Sequence, residues 1–192
     1  LMNIVYLTDK IGVSIADATT GDYYVTEVED IKKLRDEIAR YLPSEIICND
    51  AFLVSGMELD ELKDKYNIAV YALDAWYFDD DNCKQILMKH FKVNSLKGLG
   101  LDEFPAGMIA SGALLQYLYQ TQKSTLNHFT HIIPYHTGKY MLLDSSTRRN
   151  LELTETLRDK NKKGSLLWVM DKTQTAMGAR LLRNYLEQPL VQ

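Results

Sequence analysis

An α/β domain built on a mixed sheet flanked by helices, followed by an all-α tail, is the architecture this sequence predicts. Three observations carry it. Three short β-branched and aromatic runs separated by turn residues occupy positions 1–28 and read as an antiparallel meander. From Asp30 to Gln122, helical periodicities alternate with short apolar runs, the pattern of a sheet with helices on its faces. From Leu142 to Gln192 only helical patterns remain, the last closing on Pro189.

In order, Asn3–Thr8 and Gly12–Ala18 are strands, and Thr19-Thr20-Gly21-Asp22 turns the chain into a third, Tyr23–Val28. Asp30 caps a helix to about Tyr41, with Ile31, Leu34, Ile38 and Tyr41 on one face, and Pro43 stops it. Glu45–Asn49 is a buried strand. Ser55-Gly56-Met57-Glu58 fits a capping box for a helix carrying Leu59, Leu62 and Tyr66. Ile68–Leu73 is the next strand, and Asp79-Asp80-Asp81 begins a helix to about Phe91, three carboxylates at the positive end of the dipole. Pro105 opens the longest helix, to about Gln122, whose wide stripe from Ala106 to Leu118 covers the sheet.

Residues 123–141 read as a connecting segment with a small hairpin turning at Gly138. In the tail, Asp144, Ser145 or Ser146 caps a helix to about Leu157. Ser165 starts a short one over Leu166–Met170. Thr173 or Thr175 caps the last, with Ala179, Leu182, Tyr185 and Leu186 on one face.

Composition narrows the function. A hydrophobic share of 46% and a charged share of 25% exclude a disordered or low-complexity chain. No apolar run approaches the roughly 20 residues of a membrane span, and no signal peptide is visible, so a cytoplasmic location is expected. Cys48 and Cys83 lack ligand or redox spacing and read as reduced thiols. Residues 1–122 hold 20 Asp/Glu against 11 Lys/Arg, whereas residues 142–192 hold 6 against 9. The acidic part is a poor generic nucleic-acid binder, since phosphate neutralisation supplies most non-specific affinity, and the basic tail is the better candidate to lie near a backbone.

Three constellations bear on catalysis. Asp17, Asp50 and Asp74 each follow or end a strand-like run. Carboxylates gathered at strand ends hold Mg²⁺ pairs for phosphodiester hydrolysis, and the opening hairpin resembles the entry to ribonuclease-H-like nucleases. Each is equally a strand-terminating or turn residue, the reading that residue type favours. Asp79-Asp80-Asp81 lacks the alternating oxygens of a calcium loop, and His90, His128, His131 and His136 form no ligand set. Among cations, Arg148-Arg149 and Arg180 with Arg183 suit interdomain or salt-bridging roles. No phosphate-cradling glycine loop and no nucleophile elbow occur.

The tail run Thr173–Leu190, TQTAMGARLLRNYLEQPL, closely resembles the start of the core domain in the MutS family of DNA mismatch-repair proteins. Leu143–Leu153, LDSSTRRNLEL, resembles the segment leading into that core. Gly12–Gly21, GVSIADATTG, and Gly112–Tyr117, GALLQY, resemble the connector domain. The four runs agree in order and spacing over nearly the whole chain.

The resemblance implies a connector domain of ribonuclease-H-like fold over residues 1–122, a connecting segment over 123–141, and the start of a helical core and lever domain over 142–192. It implies no catalysis here: the Phe-x-Glu mismatch motif and the nucleotide loop are missing, so ATP and Mg²⁺ belong to the parent protein and none to this stretch. The chain starts at Leu1 without an initiating methionine, and a fragment is therefore expected. Implied partners are MutL, mismatched DNA reached through the full-length protein, and a second copy of that protein. The helix from Asp80 to Phe91 resembles the family's proposed MutL-docking helix, with Lys84, Gln85 and Lys89 on its outer side; Gln85 is the convincing residue-level match. Arg148, Arg149, Arg180 and Arg183 are expected to be interdomain or structural. The competing expectation is a metal-dependent ribonuclease-H-like nuclease using Asp17, Asp50 and Asp74.

Overall fold

The opening meander forms where β-branched and aromatic residues alternate. Strands β1 (Met2–Tyr6), β2 (Ile11–Asp17) and β3 (Asp22–Val28) pair antiparallel, Met2 opposite Ile15 and Asp17 opposite Asp22. Gly21 makes the β2–β3 turn at φ +79°, a conformation that costs glycine no Cβ clash. In this computed structural model residues 1–122, 126–137, 143, 145–187 and 189 are described. The chain divides into two compact units, Leu1–Thr137 and Gly138–Gln192.

In the first unit, α1 (Ile31–Tyr41) returns the chain so that β4 (Glu45–Cys48) lies parallel to β1, and β5 (Ala69–Ala72) adds parallel to β4. With a short β6 (Ile133–Pro134) parallel to β3, the strand order is β5-β4-β1-β2-β3-β6. Asp30 caps α1 as its type predicts, its carboxylate accepting from Lys33 N at 2.7 Å.

The sheet is covered on both faces. On one, Met2, Ile4, Val13 and Ile46 pack with Leu34 and Ile38 of α1, Phe52 of α2 (Asp50–Leu53) and Leu62 of α3 (Leu59–Tyr66). On the other lies α5 (Pro105–Thr121), with α4 (Asp80–Phe91) against it. Being enclosed, α5 is buried nearly all round, from Ala106 to Leu118, beyond the one-sided stripe its sequence suggests.

Close approach of α5 to the sheet explains otherwise odd residues. A Cβ on Gly12 would fall 2.1 Å from the Ala106 carbonyl oxygen, so β2 needs glycine there. Asn3 and Ser14, a cross-strand pair, both donate to the Ala110 carbonyl, at 2.7 and 2.9 Å. The Tyr23 hydroxyl donates to Ser111 O at 2.7 Å. At the helix start, the Glu27 carboxylate accepts from Ala106 N and Gly107 N at 2.7 and 3.1 Å, a side-chain anion on the positive end of the dipole.

Not every detail follows the sequence reading. The capping box does not form: Ser55 Oγ donates to Phe52 O, and Glu58 precedes α3 without a side-chain cap. Short helical pieces at Asp50–Leu53, Ala75–Phe78 and Leu96–Leu99 carry no periodic signal, being one turn long. Within residues 123–141, Leu126, Phe129 and Ile132 are core of the first unit, and Ile133–Pro134 pairs with β3. The hairpin turning at Gly138, and the capping role weighed for Asp144, lie outside the described residues.

In the second unit, α6 (Ser145–Asn150) ends earlier than its apolar spacing suggests. Glu152 takes a left-handed φ of 47°, and the carbonyls of Glu152 and Leu153 accept from Leu166 N and Leu167 N, at 3.0 and 2.8 Å. Those bonds replace the helix ladder and bury Leu153 and Leu167. Ser165 caps α7 (Leu166–Met170), accepting from Trp168 N at 3.3 Å. Before α8 (Ala176–Glu187), Thr175 Oγ1 accepts from Gly178 N at 3.0 Å. Ala179, Leu182 and Leu186 are half-buried as expected, but Tyr185 is 65% exposed.

Candidate functional site

The surface singled out in the first unit is the outer side of α4. Asp79 caps the helix, accepting from Asn82 N at 2.9 Å, so the Asp79-Asp80-Asp81 run is a helix start. Cys83 and Leu87 are buried and Ile86 and Phe91 pack beside them, which turns Gln85, Lys89 and Lys92 outward as one exposed stripe at i, i+4 and i+7. Lys84 pairs with Asp80 one turn earlier. The structure thus brings Gln85 and Lys89 together on one face, with Lys84 beside them and engaged along the helix.

That surface is rigidly mounted. Cys83 of α4 lies over Gly112 of α5, and seven residues on in each helix His90 meets Tyr119. The two helices therefore run parallel and end side by side. His90 also contacts Phe129 O through Nε2 at 2.8 Å. A carbonyl only accepts, so Nε2 carries a proton in that bond, and Nδ1 lies 2.6 Å from the Tyr119 hydroxyl. Both cysteines are structural: burial pushes the Cys48 and Cys83 thiols up to about 12, assisted by Asp50 for the first and by Asp79 and Asp80 for the second.

The three strand-end aspartates do not form a site. Asp17 ends β2 beside the N-terminal end of β1, whereas Asp50 and Asp74 follow the C-terminal ends of β4 and β5, which run parallel to β1. The length of a five-residue strand, roughly 15 Å, lies between. Asp17 is instead a turn residue, accepting from Thr19 N and Thr19 Oγ1 at 2.8 and 2.6 Å. Among the described residues no three of His, Cys, Asp and Glu come together as a ligand set. This overturns the two-metal nuclease expectation, because such chemistry needs carboxylates within one coordination sphere.

In the second unit, Arg148 donates through Nε to Leu143 O at 3.0 Å, and Arg149 is exposed. Arg183 pairs with Glu187 along α8 at 3.0 Å, and Arg180 stands exposed one turn earlier. What the sequence reading missed is which apolar residues α8 turns outward. Met177, Leu181 and Tyr185, spaced i, i+4, i+8, are all exposed, as are Trp168, Val169 and Met170 of α7. The spacing was readable, but which side of a doubly apolar helix is covered depends on its neighbours. Among the described residues no helix is long and apolar enough to cross a membrane.

Comparison with known proteins matches two family models to the chain. The model of MutS domain II matches residues 2–130, and that of MutS domain III matches residues 146–192. A DNA mismatch repair protein MutS of Lachnoclostridium phytofermentans is 56% identical over 191 residues, covering 100% of this chain and 20% of its own length. That of Ruminiclostridium cellulolyticum is 45% identical over 194 residues, covering 100% and 22%. That of Protochlamydia amoebophila is 38% identical over 181 residues, covering 94% and 21%. The chain therefore spans about a fifth of the length of these relatives. It belongs to the MutS family of DNA mismatch-repair proteins, of which it carries domains II and III.

Proposed function

We propose that the first unit is the connector of a mismatch-repair protein and that the second begins its core and lever domain, neither performing catalysis. The connector links mismatch recognition to the lever and ATPase parts, and its fold is ribonuclease-H-like. An antiparallel three-stranded opening, extended on the β1 side by two parallel strands, supports that fold. The basic balance of residues 142–192 suits the root of a DNA-encircling lever, with Arg148, Arg149, Arg180 and Arg183 in interdomain or structural roles. The domain scheme 1–122, 123–141 and 142–192 belongs to the same reading, with 126–137 attached to the connector by its buried residues. Binding of mismatched DNA, ATP and Mg²⁺, pairing with a second copy and a cytoplasmic setting are assigned to the protein of the relatives' full length.

The connector's own contribution is a docking surface for MutL on α4, centred on Gln85 and flanked by Lys84 and Lys89. The single observation that carries it is the exposed Gln85–Lys89 face on a helix locked to α5. A partner gripping that face moves the connector as a body. In the full-length protein, Gln85→Glu is expected to weaken crosslinking to MutL while leaving mismatch affinity intact. Lys84→Glu acts in the same direction, with added repulsion from Asp80. Unchanged crosslinking in both variants removes α4 from the interface.

A further inference from the structure

The exposed stripe of α4 runs at its C-terminal end into a groove of about 800 Å³ that shares only Lys89 with the docking surface. The groove opens where the parallel α4 and α5 end together and residues 127–130 cross beside them. Ile86, Phe91 and Phe129 supply its apolar lining, and Lys89 and Lys92 its charge. His90 contributes no free donor, since both ring nitrogens hold Tyr119 and Phe129.

Two features point to the occupant. Among the described residues no carboxylate lines the groove, although residues 1–122 hold 20 acidic side chains against 11 basic ones. Among the described residues neither Lys89 nor Lys92 is in an ion pair, so this is a positive spot on a negative domain.

We propose that this groove seats a short acidic segment of a partner protein, one apolar side chain against Ile86, Phe91 and Phe129 and its flanking carboxylates on Lys89 and Lys92. Nucleic acid fits less well. Two cations make a short stop for a phosphate chain, and the surrounding domain repels a long polyanion. The proposal rests on the reading of α4 as a docking surface, because Lys89 belongs to both.

The test is an amide-resolved NMR titration of the 192-residue chain with the peptide acetyl-Glu-Asp-Phe-Asp-Glu-amide. Expected are saturable shifts at residues 86–92, 116–120 and 127–130. Binding should weaken at least tenfold for the uncharged acetyl-Gln-Asn-Phe-Asn-Gln-amide and for the Lys89→Glu, Lys92→Glu double variant, whose sites are exposed and do not disturb the core. Shifts that are absent, scattered over other lysines, or equal for the uncharged peptide overturn the proposal. So does a ten-residue thymidine oligonucleotide that shifts the same amides more tightly. Loss of peptide binding alongside a retained Gln85→Glu effect on crosslinking rejects the groove and leaves the docking reading standing. Peptide bound in the groove with no Gln85→Glu effect does the reverse.

Discussion

Gly112 of α5 lies so close beneath Cys83 of α4 that a Cβ built on it would fall 2.3 Å from the Cys83 Cβ and 2.5 Å from its Cα. Neither atom can rotate away, so the glycine sets the distance between the two helices and the pose of the surface that α4 presents. Gly112→Ala is expected to cost about 1–3 kcal/mol or more by overpacking, read as a lower urea midpoint with unchanged slope. Gly98→Ala serves as control. There the nearest atom to a new Cβ is Val93 Cγ1 at 3.5 Å, and the change should stay within about 0.5 kcal/mol.

Glu37 is a buried carboxyl that accepts from the Tyr135 hydroxyl and pairs with Arg40 at 3.4 Å. Burial raises its pKa, with Arg40 and Tyr135 pulling the other way. The folded chain then holds the proton to higher pH than the unfolded one. Stability from this group is complete below the ordinary carboxylate range near 4.5 and falls as pH rises through the elevated folded value. Glu37→Gln should remove that fall, measured as urea stability between pH 4 and 7. Tyr135→Phe should cost about 1–3 kcal/mol, as expected when a buried acceptor loses its hydrogen-bond partner.

The two thiols are predicted to be inert in the folded state. With both raised from 9.0 to about 12, roughly a thousandfold less thiolate is available than in the unfolded chain at equal pH. Labelling by a disulfide reagent at pH 8 should be correspondingly slow and become immediate in strong denaturant. Fast labelling of either cysteine in native buffer contradicts their burial. Because the unfolded thiols ionise first, stability should also fall above pH 9.

The outward stripe of Met177, Leu181 and Tyr185 predicts association of the 192-residue chain on its own. Light scattering should show a mass that rises with concentration. The double variant Leu181→Lys, Tyr185→Lys should return it to the monomer value, while circular dichroism stays unchanged.

Much of this molecule was legible in the chain itself. The meander, the caps at Asp30, Asp79 and Ser165, Pro105 as a helix opener and the exposed Gln85–Lys89 face follow from local chemistry: side-chain alternation, oxygen acceptors at helix starts, and 3.6-residue spacing. Motif resemblance supplied the family. Only the tertiary structure decided what depends on two distant stretches meeting. It set Asp17 at the far end of the sheet from Asp50 and Asp74, because strand direction is a property of pairing and not of any strand alone. It gave Asn3 and Ser14 one carbonyl to share, made core of Leu126 and Phe129, and formed the groove where two parallel helices end together. Local sequence chooses the elements, whereas burial and register, summed over the whole chain, choose which of their faces meet.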